Sequence, residues 1–283
     1  MNDTLEALVR QFSQPLAFLR ELVQNSIDAR SNRIDIEVGE AEEPGMARIA
    51  VKDTGEGMTA DIIDHSLTRL FASSKENDLT KVGKFGIGFV SVFAINPEAV
   101  VVDTGRDGEN WRLIFHPDKS FDKIALDEPT EGCQVTVYLK MGSREVPDLA
   151  RRCAETVRFW CRHCRVDIFM NGERLNEEFG FPEGFQVRRE FEGTRIAVQV
   201  VNSEKAFCGF YNQGLTLLEN EQSEFPNFAY KLDSRYLEHT LTRDNVMQDE
   251  HYRKAMVQLK KVIEVQFPDE LAARMEAQPG AED

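Results

Sequence analysis

Three polar side chains, Glu21, Asn25 and Asp28, lie four and then three residues apart in the segment 19–29. The segment contains no Gly or Pro, and the spacing therefore predicts a helix that carries all three side chains on one stripe. Leucine, valine and isoleucine side chains occupy the neighbouring faces and compete for burial. Two carboxylates and an amide beside apolar surface suit a hard cation and an activated water.

Two glycine-containing blocks follow this helix. The first, Asp53–Met58, reads Asp-Thr-Gly-Glu-Gly-Met and ends a predicted strand, where the Asp53 carboxylate can accept a hydrogen bond from an exocyclic amino group. We expect Gly55 and Gly57 to adopt positive φ and to let the backbone approach a ligand closely. The second block, 83–88, reads Gly-Lys-Phe-Gly-Ile-Gly and precedes a predicted helix start, where free N–H groups favour phosphate.

Each of the three blocks also has a simpler interpretation when it is taken alone. A carboxylate and amide stripe is usually a solvated helix face, and an Asp-x-Gly-x-Gly string is often a turn. Gly-x-Gly-x-x-Gly-like strings have many chance matches, and this one does not follow a strand as a Rossmann fingerprint would. The order and spacing of the three blocks together favour a nucleotide site.

The composition limits the classes of function. The 283 residues, 41% hydrophobic, suffice for two domains. The net charge of -15 argues against broad DNA binding. No apolar run reaches the ~20 residues of a membrane span, and the first residues lack a signal-peptide pattern, so we expect a cytoplasmic protein without membrane contact. Five cysteines, an odd number, predict reduced thiols, and the Cys161–Cys164 pair lacks the second ligand pair of a structural zinc site.

The hydrophobic periodicity predicts an α+β protein with two domains. Residues 1–170 are expected to form a mixed, mostly antiparallel sheet with helices on one face, an α/β sandwich. A second, smaller α+β domain is expected over 171–270, and a polar, disordered tail over 271–283. The predicted strands are 34–38, 47–51, 99–103, 111–115, 134–139, 166–170, 196–201 and 207–211, and the predicted helices are 15–30, 59–70, 148–164 and 249–266.

Together the three blocks resemble the N, G1 and G2 boxes of the GHKL ATPases. This superfamily contains type II topoisomerases, heat-shock chaperones, histidine kinases and MutL-type repair proteins. The blocks are most similar to those of the ninety-kilodalton heat-shock chaperones (Hsp90, HtpG-like), and the resemblance covers about residues 15 to 140. It implies the Bergerat ATP-binding fold, with ATP or ADP lying over the sheet and Mg²⁺ as the cofactor.

The resemblance also implies roles for residues at the matching motif positions. Glu21 is the expected general base that orients the attacking water, and Asn25 is the expected Mg²⁺ ligand. Asp53 is expected to read the adenine amino group. Asp28 is expected to support the site, or else to form a salt bridge on the helix surface. The remaining residues implied at the nucleotide are Gly55, Gly57 and Met58 at the base and Gly83, Lys84, Phe85, Gly86, Ile87, Gly88 and Phe89 at the phosphates.

Four further positions leave alternatives open. Lys75, in the predicted closing lid 72–81, reaches a phosphate as in the MutL Thr-Ser-Lys motif or stays solvated. Lys84 replaces a common Gln and adds charge near the γ-phosphate or faces water. Cys133 stands where the family's Gly-Thr-x-Val motif has its adenine-holding Thr, and a thiol is a weaker donor. Arg243, in a segment that resembles Leu-Ser-Arg-Glu-x-Leu of the chaperone middle domain (ribosomal S5 domain 2-like), approaches the γ-phosphate or pairs on the surface.

The sequence therefore favours a Mg²⁺-dependent ATPase of the Hsp90 chaperone class. Nucleotide is expected to close the lid, dock the two domains and promote a transient homodimer, and the client or partner proteins are not identified by the sequence. One alternative is a MutL-like or topoisomerase-like ATPase that acts on DNA, which predicts a basic groove. A second alternative is a nucleotide-binding scaffold with negligible hydrolysis.

Overall fold

The computed structural model describes Val9 and residues 14–68, 88–203, 205–240 and 245–277. This part of the chain forms two compact units. The first lies within Met1–Phe159 and Val166–Asn176, and the second within Trp160–Arg165 and Glu177–Asp283.

The first unit contains an eight-stranded sheet in the order β5-β4-β3-β6-β2-β1-β7-β8. Strands β1 and β7 pair in parallel, and the other neighbouring strands pair antiparallel. This architecture confirms the predicted mixed, mostly antiparallel sheet. The strands are β1 Arg33–Glu40, β2 Met46–Asp53, β3 Ala99–Arg106, β4 Glu109–Phe115, β5 Phe121–Ala125, β6 Cys133–Lys140, β7 Asp167–Met170 and β8 Glu173–Arg174.

The alternation of side chains fixes the register of the β1–β2 hairpin. Ile34, Ile36 and Val38 are buried on one face of β1, while the intervening side chains are more exposed. A shift by one residue would turn every apolar side chain to the opposite face, so the pattern specifies the pairing. The two strands are joined by a turn in which Gly45 has φ +80.

The helices of the first unit carry the residues of the predicted site. A 3₁₀ turn, Pro15–Ala17, leads into α1, Phe18–Asp28, which buries Phe18, Leu19, Leu22 and Val23. Helix α2, Ala60–Ile62, is capped by Thr59 and continues as a π-helical turn, Ile63–Leu67. The others are a 3₁₀ helix, Ser91–Ile95, and α3, Val146–Cys161.

The second unit contains a five-stranded sheet in the order β12-β11-β13-β10-β9. Its core is built from Val187, Ile196, Leu232 and Leu259 with neighbouring aromatic side chains. The strands are β9 Gln186–Phe191, β10 Thr194–Val200, β11 Cys208–Asn212, β12 Leu215–Asn220 and β13 Phe228–Ser234. The helices are α4 Glu250–Lys261, a π-helical turn Val262–Gln266, and α5 Phe267–Ala277.

Two element positions differ from the predicted domain limits. Strand β8 pairs with β7 beyond residue 170, so the first unit extends to Asn176. Helix α5 enters the predicted tail, because Leu271, Ala272 and Ala273 favour helix. None of the helices in the described ranges combines the length and the hydropathy of a membrane span.

A polar cluster lies inside the second unit. Lys231 on β13 is 5% exposed, and its Nζ donates to the Gly180 carbonyl oxygen at 2.8 Å and lies 2.9 Å from His163 Nε2. The His163 ring contacts Phe179 and Tyr211 edge-on. Burial and the neighbouring Lys231 charge lower the pKa of His163 to about 3, and burial lowers the pKa of Lys231 to about 8. His163 is therefore neutral and accepts the bond from Lys231.

The neutral state of His163 predicts a loss of stability in acid. In the unfolded chain His163 takes up a proton near pH ~6.5, whereas in the folded chain it does so near pH 3. The folded state therefore binds fewer protons between these values, and the free energy of unfolding falls as the pH drops through them. One such group contributes up to about 1.4 kcal/mol per pH unit.

Urea unfolding of the wild type and of His163→Gln between pH 4 and pH 7 measures this contribution. Glutamine keeps an acceptor for Lys231 but does not titrate, so we expect a shallower pH dependence in the variant. Parallel stability curves for the two proteins would show that His163 does not supply the acid sensitivity.

Candidate functional site

A cavity of about 300 Å³ opens in the first unit beside α1. This volume is at the lower end of the range for small-molecule sites. The cavity is walled by apolar side chains and holds a few polar groups, the usual composition of a cofactor pocket. Its lining residues are Leu22, Asn25, Ser26, Asp28, Ala29, Val51, Asp53, Glu56, Gly57, Met58, Ile62, Ser66, Leu67, Phe89, Val102, Arg106, Cys133 and Val135.

Asp53 is the buried acid of the cavity. Its side chain is held by donors from three segments of the chain. Ser26 Oγ on α1 lies 2.8 Å from Oδ2, while the backbone N–H groups of Gly55 and Cys133 donate to Oδ1 at 2.8 and 3.2 Å. These bonds fix the direction of the carboxylate at the end of β2, where it remains part of the cavity wall.

Burial raises the pKa of Asp53, and the three donors oppose that rise. A carboxylate removed from water is costly unless it is hydrogen-bonded, which explains why so many donors converge on it. The ionised carboxylate is purely an acceptor, so it suits a ligand that presents an N–H group.

The glycines around Asp53 are required by space and by backbone geometry. Gly57 has φ +65, and a Cβ on it would lie 2.1 Å from the Gly105 carbonyl oxygen. Gly132 has φ +68, and a Cβ there would lie 2.1 Å from the Asp53 carbonyl oxygen. The prediction of a positive φ at Gly55 is wrong. Glycine is required there for space instead, because an added Cβ would lie 2.8 Å from the Ala29 Cβ.

Thr104 connects the loop after β2, at Met58, to the turn before β6, at Gly132. Its hydroxyl donates to the Gly132 carbonyl oxygen at 3.0 Å and accepts from the Met58 N–H at 2.9 Å. Cys133 lines the cavity. Burial raises the pKa of the Cys133 thiol, with a further contribution from the Asp53 charge, so the thiol stays neutral.

Glu21 is buried on α1, 8% exposed, and Arg20 Nη1 donates to its Oε1 at 2.8 Å. The other carboxylate oxygen, Oε2, would lie 3.0 Å from a Cβ on Gly88. The structure thus brings the first predicted block against the last glycine of the third block. Glycine at 88 keeps the space beside the Glu21 carboxylate open.

Asn25, one turn further along α1, and Asp28, two turns further, line the cavity. Asn25 is half-buried, while Asp28 is exposed and accepts a bond from Gln24 Nε2 at 3.1 Å. The rim is charged, because Glu56 pairs with Arg30 at 3.2 Å and with Arg106 at 3.1 Å. Of the predicted stripe, Asn25 and Asp28 therefore lie at the cavity, and Glu21 lies beside Gly88.

Several predicted residues lie outside the described residues. They are Lys75, Gly83, Lys84, Phe85, Gly86 and Ile87 near the third block, and Arg243. Gly88 and Phe89 are described, and Phe89 is a wall residue of the cavity. The roles implied for all these positions stay predictions.

The sequence reasoning missed Ser26, Thr104 and the rim residues. Ser26 lies beside Asn25, so its position on a helix next to a predicted ligand was the available signal. Thr104 had no comparable local signal, because its partners Met58 and Gly132 are distant in sequence.

The residues present fit an adenine nucleotide. Asp53 is an oriented acceptor inside an apolar wall, as recognition of an amino-bearing base requires. Asn25 offers an amide oxygen of the kind that magnesium accepts. In the part of the chain that the structure describes, no group of three His, Cys, Asp or Glu side chains is placed to hold a metal ion.

Known proteins resemble parts of this chain. The chaperone protein HtpG of Chlorobium phaeobacteroides is 26% identical over 205 residues, 62% of this chain and 33% of the relative. HtpG of Methylococcus capsulatus is 29% identical over 189 residues, 55% of this chain and 29% of the relative. The DNA mismatch repair protein MutL of Carboxydothermus hydrogenoformans is 23% identical over 218 residues, 71% of this chain and 37% of the relative.

The chain thus spans about a third of the length of the curated relatives it matches. The family model described as "Histidine kinase-, DNA gyrase B-, and HSP90-like ATPase" matches residues 15–128. This range contains Glu21, Asn25, Asp53 and Gly88, and the resemblance drawn from the three blocks is confirmed. Over residues 15–128 the chain is therefore similar to the histidine kinase-, DNA gyrase B- and HSP90-like (GHKL) ATPases.

Proposed function

We propose that this protein binds ATP in the α1 cavity and hydrolyses it, with Glu21 as the general base. The observation that carries the proposal is the buried Asp53 carboxylate, held by three donors in the wall of a cavity that Asn25 also lines. Asp53 accepts a hydrogen bond from the adenine amino group, while Val51, Met58 and Val102 cover the base with apolar surface.

Glu21 takes the proton of the attacking water as the water oxygen bonds to the terminal phosphorus and the bond from that phosphorus to the bridging oxygen of the leaving ADP breaks. Arg20 Nη1 donates to Oε1 of the Glu21 carboxylate, and Oε2 lies on the side of Gly88. A positioned base of this kind contributes about 10² to 10⁴ in rate. Asn25 would hold Mg²⁺, which would neutralise charge on the phosphates when it is bound.

The chaperone class is the finer part of the proposal. The similarity to HtpG proteins and the net charge of -15 support it. On this proposal the partners are client proteins and a second copy of the chain in a nucleotide-dependent homodimer. The resemblance to the chaperones adds three features to this proposal. They are closure of a lid over the nucleotide, a phosphate contact from Lys75 and the approach of Arg243 to the γ-phosphate.

A DNA-directed ATPase is the second candidate. The similarity to MutL covers 71% of this chain, more than the similarity to either HtpG protein. This candidate requires a surface that neutralises phosphates, and the acidic charge opposes it. Calorimetry with duplex DNA at a defined salt concentration, with and without ATP, separates the two, because the chaperone proposal expects no DNA affinity in either case.

The first prediction concerns Asp53→Asn. We expect calorimetry with ATP and Mg²⁺ to detect binding to the wild type and none to the variant, because the carboxamide presents a donor where the base amino group needs an acceptor. The thermal midpoint should not fall, since asparagine removes a buried charge and keeps an oxygen for the Gly55 and Cys133 N–H groups. Asp103→Asn, an acid of β3 that pairs with Arg112, is the control and should bind normally. Wild-type affinity in Asp53→Asn would contradict the assigned base site.

The second prediction concerns Glu21→Ala. Phosphate release should drop by about 100- to 10,000-fold while ATP still binds, because the variant removes the base and leaves the Asp53 pocket intact. Glu21→Gln is the matched variant, since it keeps an oxygen for the Arg20 contact. Normal turnover in Glu21→Gln would show that another group activates the water. ATP binding without measurable turnover in the wild type would favour the scaffold alternative.

The third prediction concerns Cys133→Thr. A hydroxyl is a stronger donor than a thiol, and the side chain at this position lines the cavity. We expect the Kd for ATP to fall by about two- to tenfold, the scale of one neutral hydrogen bond. Cys133→Ser tests whether the hydroxyl is responsible, and Cys133→Val controls for shape. Equal affinities in the threonine and valine variants would assign no polar role to this position.

A further inference from the structure

The hairpin of β4 and β5 holds the short helix that forms one wall of the cavity. Glu109 Oε2 accepts the Ala60 N–H at 2.7 Å and the Trp111 indole N–H at 3.0 Å. Lys123 Nζ donates to both carboxylate oxygens of Asp64, at 2.7 and 2.9 Å. It also lies 4.7 Å from the centre of the Trp111 ring.

One of these contacts is at the start of α2, at Ala60, and the other is in the π-helical turn that follows, at Asp64. A helix start leaves N–H groups without partners, and Glu109 takes that of Ala60 while Thr59 accepts that of Ile62. The Ala60 N–H and the Trp111 indole lower the pKa of Glu109, which keeps it a charged acceptor. Lys123, with 20% of its side chain exposed, fixes Asp64 on the following turn.

The opposite side of the same helix belongs to the cavity wall. Ile62, Ser66 and Leu67 line the cavity, and Ile63 is buried. The charged contacts therefore lie outside the ligand space, and the wall residues of the same eight-residue segment lie inside it. Any change in the contact between the hairpin and α2 is carried directly to the wall.

We propose that Glu109 and Lys123 are positioning residues, which fix residues 60–67, that is α2 and the π-helical turn after it, where Ile62, Ser66 and Leu67 complete the nucleotide cavity. Neither side chain lines the cavity, and both act through α2. The identity of the ligand rests on the proposed function, whereas the hold of the hairpin on α2 stands on the contacts themselves.

The same hairpin offers a matched control. Arg112 on β4 pairs with Asp103 on β3, with Nε–Oδ1 and Nη2–Oδ2 distances of 2.6 and 2.8 Å. Arg112 alternates with Trp111 and Leu113, so it lies on the opposite face of the sheet from Lys123, which stands beside Leu113. Lys123→Met and Arg112→Met each remove one cation of one ion pair from the hairpin, and Lys123→Met alone removes a contact to α2.

The first measurement is amide hydrogen exchange of residues 60–67 in the full chain without nucleotide. We expect Lys123→Met to raise the exchange rates about two- to fivefold, the scale of a partly exposed ion pair, and Arg112→Met to leave them at the wild-type values. Equal acceleration by both variants, or none by Lys123→Met, would overturn the proposal. Because no ligand is present, this result is independent of the proposed function.

The second measurement is ATP turnover and affinity. Lys123→Met should raise the Kd and the KM for ATP about two- to fivefold and leave kcat unchanged, because α2 lacks the Glu21 base. The charge exchange Lys123→Asp with Asp64→Lys should return KM toward the wild-type value. A parallel fall in kcat, or no rescue by the exchange, would indicate a general structural defect and contradict positioning. Failure of the wild type to bind ATP would refute the proposed function. The hydrogen-exchange measurement would then decide alone whether the hairpin holds α2.

Discussion

The buried carboxylate of Asp53 is the constraint on which the first unit depends. It accepts hydrogen bonds from Ser26 on α1, from the backbone of Gly55 after β2, and from the backbone of Cys133 at the start of β6. A buried charge without these donors would destabilise the fold by several kcal/mol. Helix, turn and strand must therefore meet at one point, and the cavity is the space left beside that point.

Close main-chain contacts extend this constraint to neighbouring strands. Gly57 approaches Gly105, and Gly132 approaches the Asp53 carbonyl, at distances that leave no room for a Cβ. The Thr104 hydroxyl ties the same turns together. Backbone contacts thus fix the position of Asp53 in the cavity wall. A change of side chain at Cys133 leaves its hold on Asp53 unchanged, because the backbone N–H makes that bond.

The sequence predicted the parts of the molecule whose signals are local. Alternation predicted the β1–β2 hairpin, and the helix spacing of Glu21, Asn25 and Asp28 predicted their stripe on α1. Strand β5 was not predicted, because most of its side chains are exposed and its sequence shows no alternation of apolar and polar residues. Strand β13 was not predicted, because the charged residues Lys231 and Asp233 are buried within it. Their partners, His163 and Arg195, are distant in sequence. Two of the three Asp53 donors, Ser26 and Cys133, depend on the same kind of distant contact.

The Ser26 hydroxyl lies 2.8 Å from Asp53 Oδ2 and 3.0 Å from the Leu22 carbonyl oxygen, yet it carries one proton. Two acceptors therefore compete for one donor, and among these protein groups the helix and the carboxylate cannot both be satisfied by it. On the proposed function, the amino group of an adenine base would donate a further proton to Asp53 and leave the Ser26 hydroxyl to the Leu22 carbonyl oxygen. A base with a carbonyl at the same place would add a third acceptor. The proposal therefore expects adenine to bind in preference to guanine, before any difference in the shape of the two bases is considered.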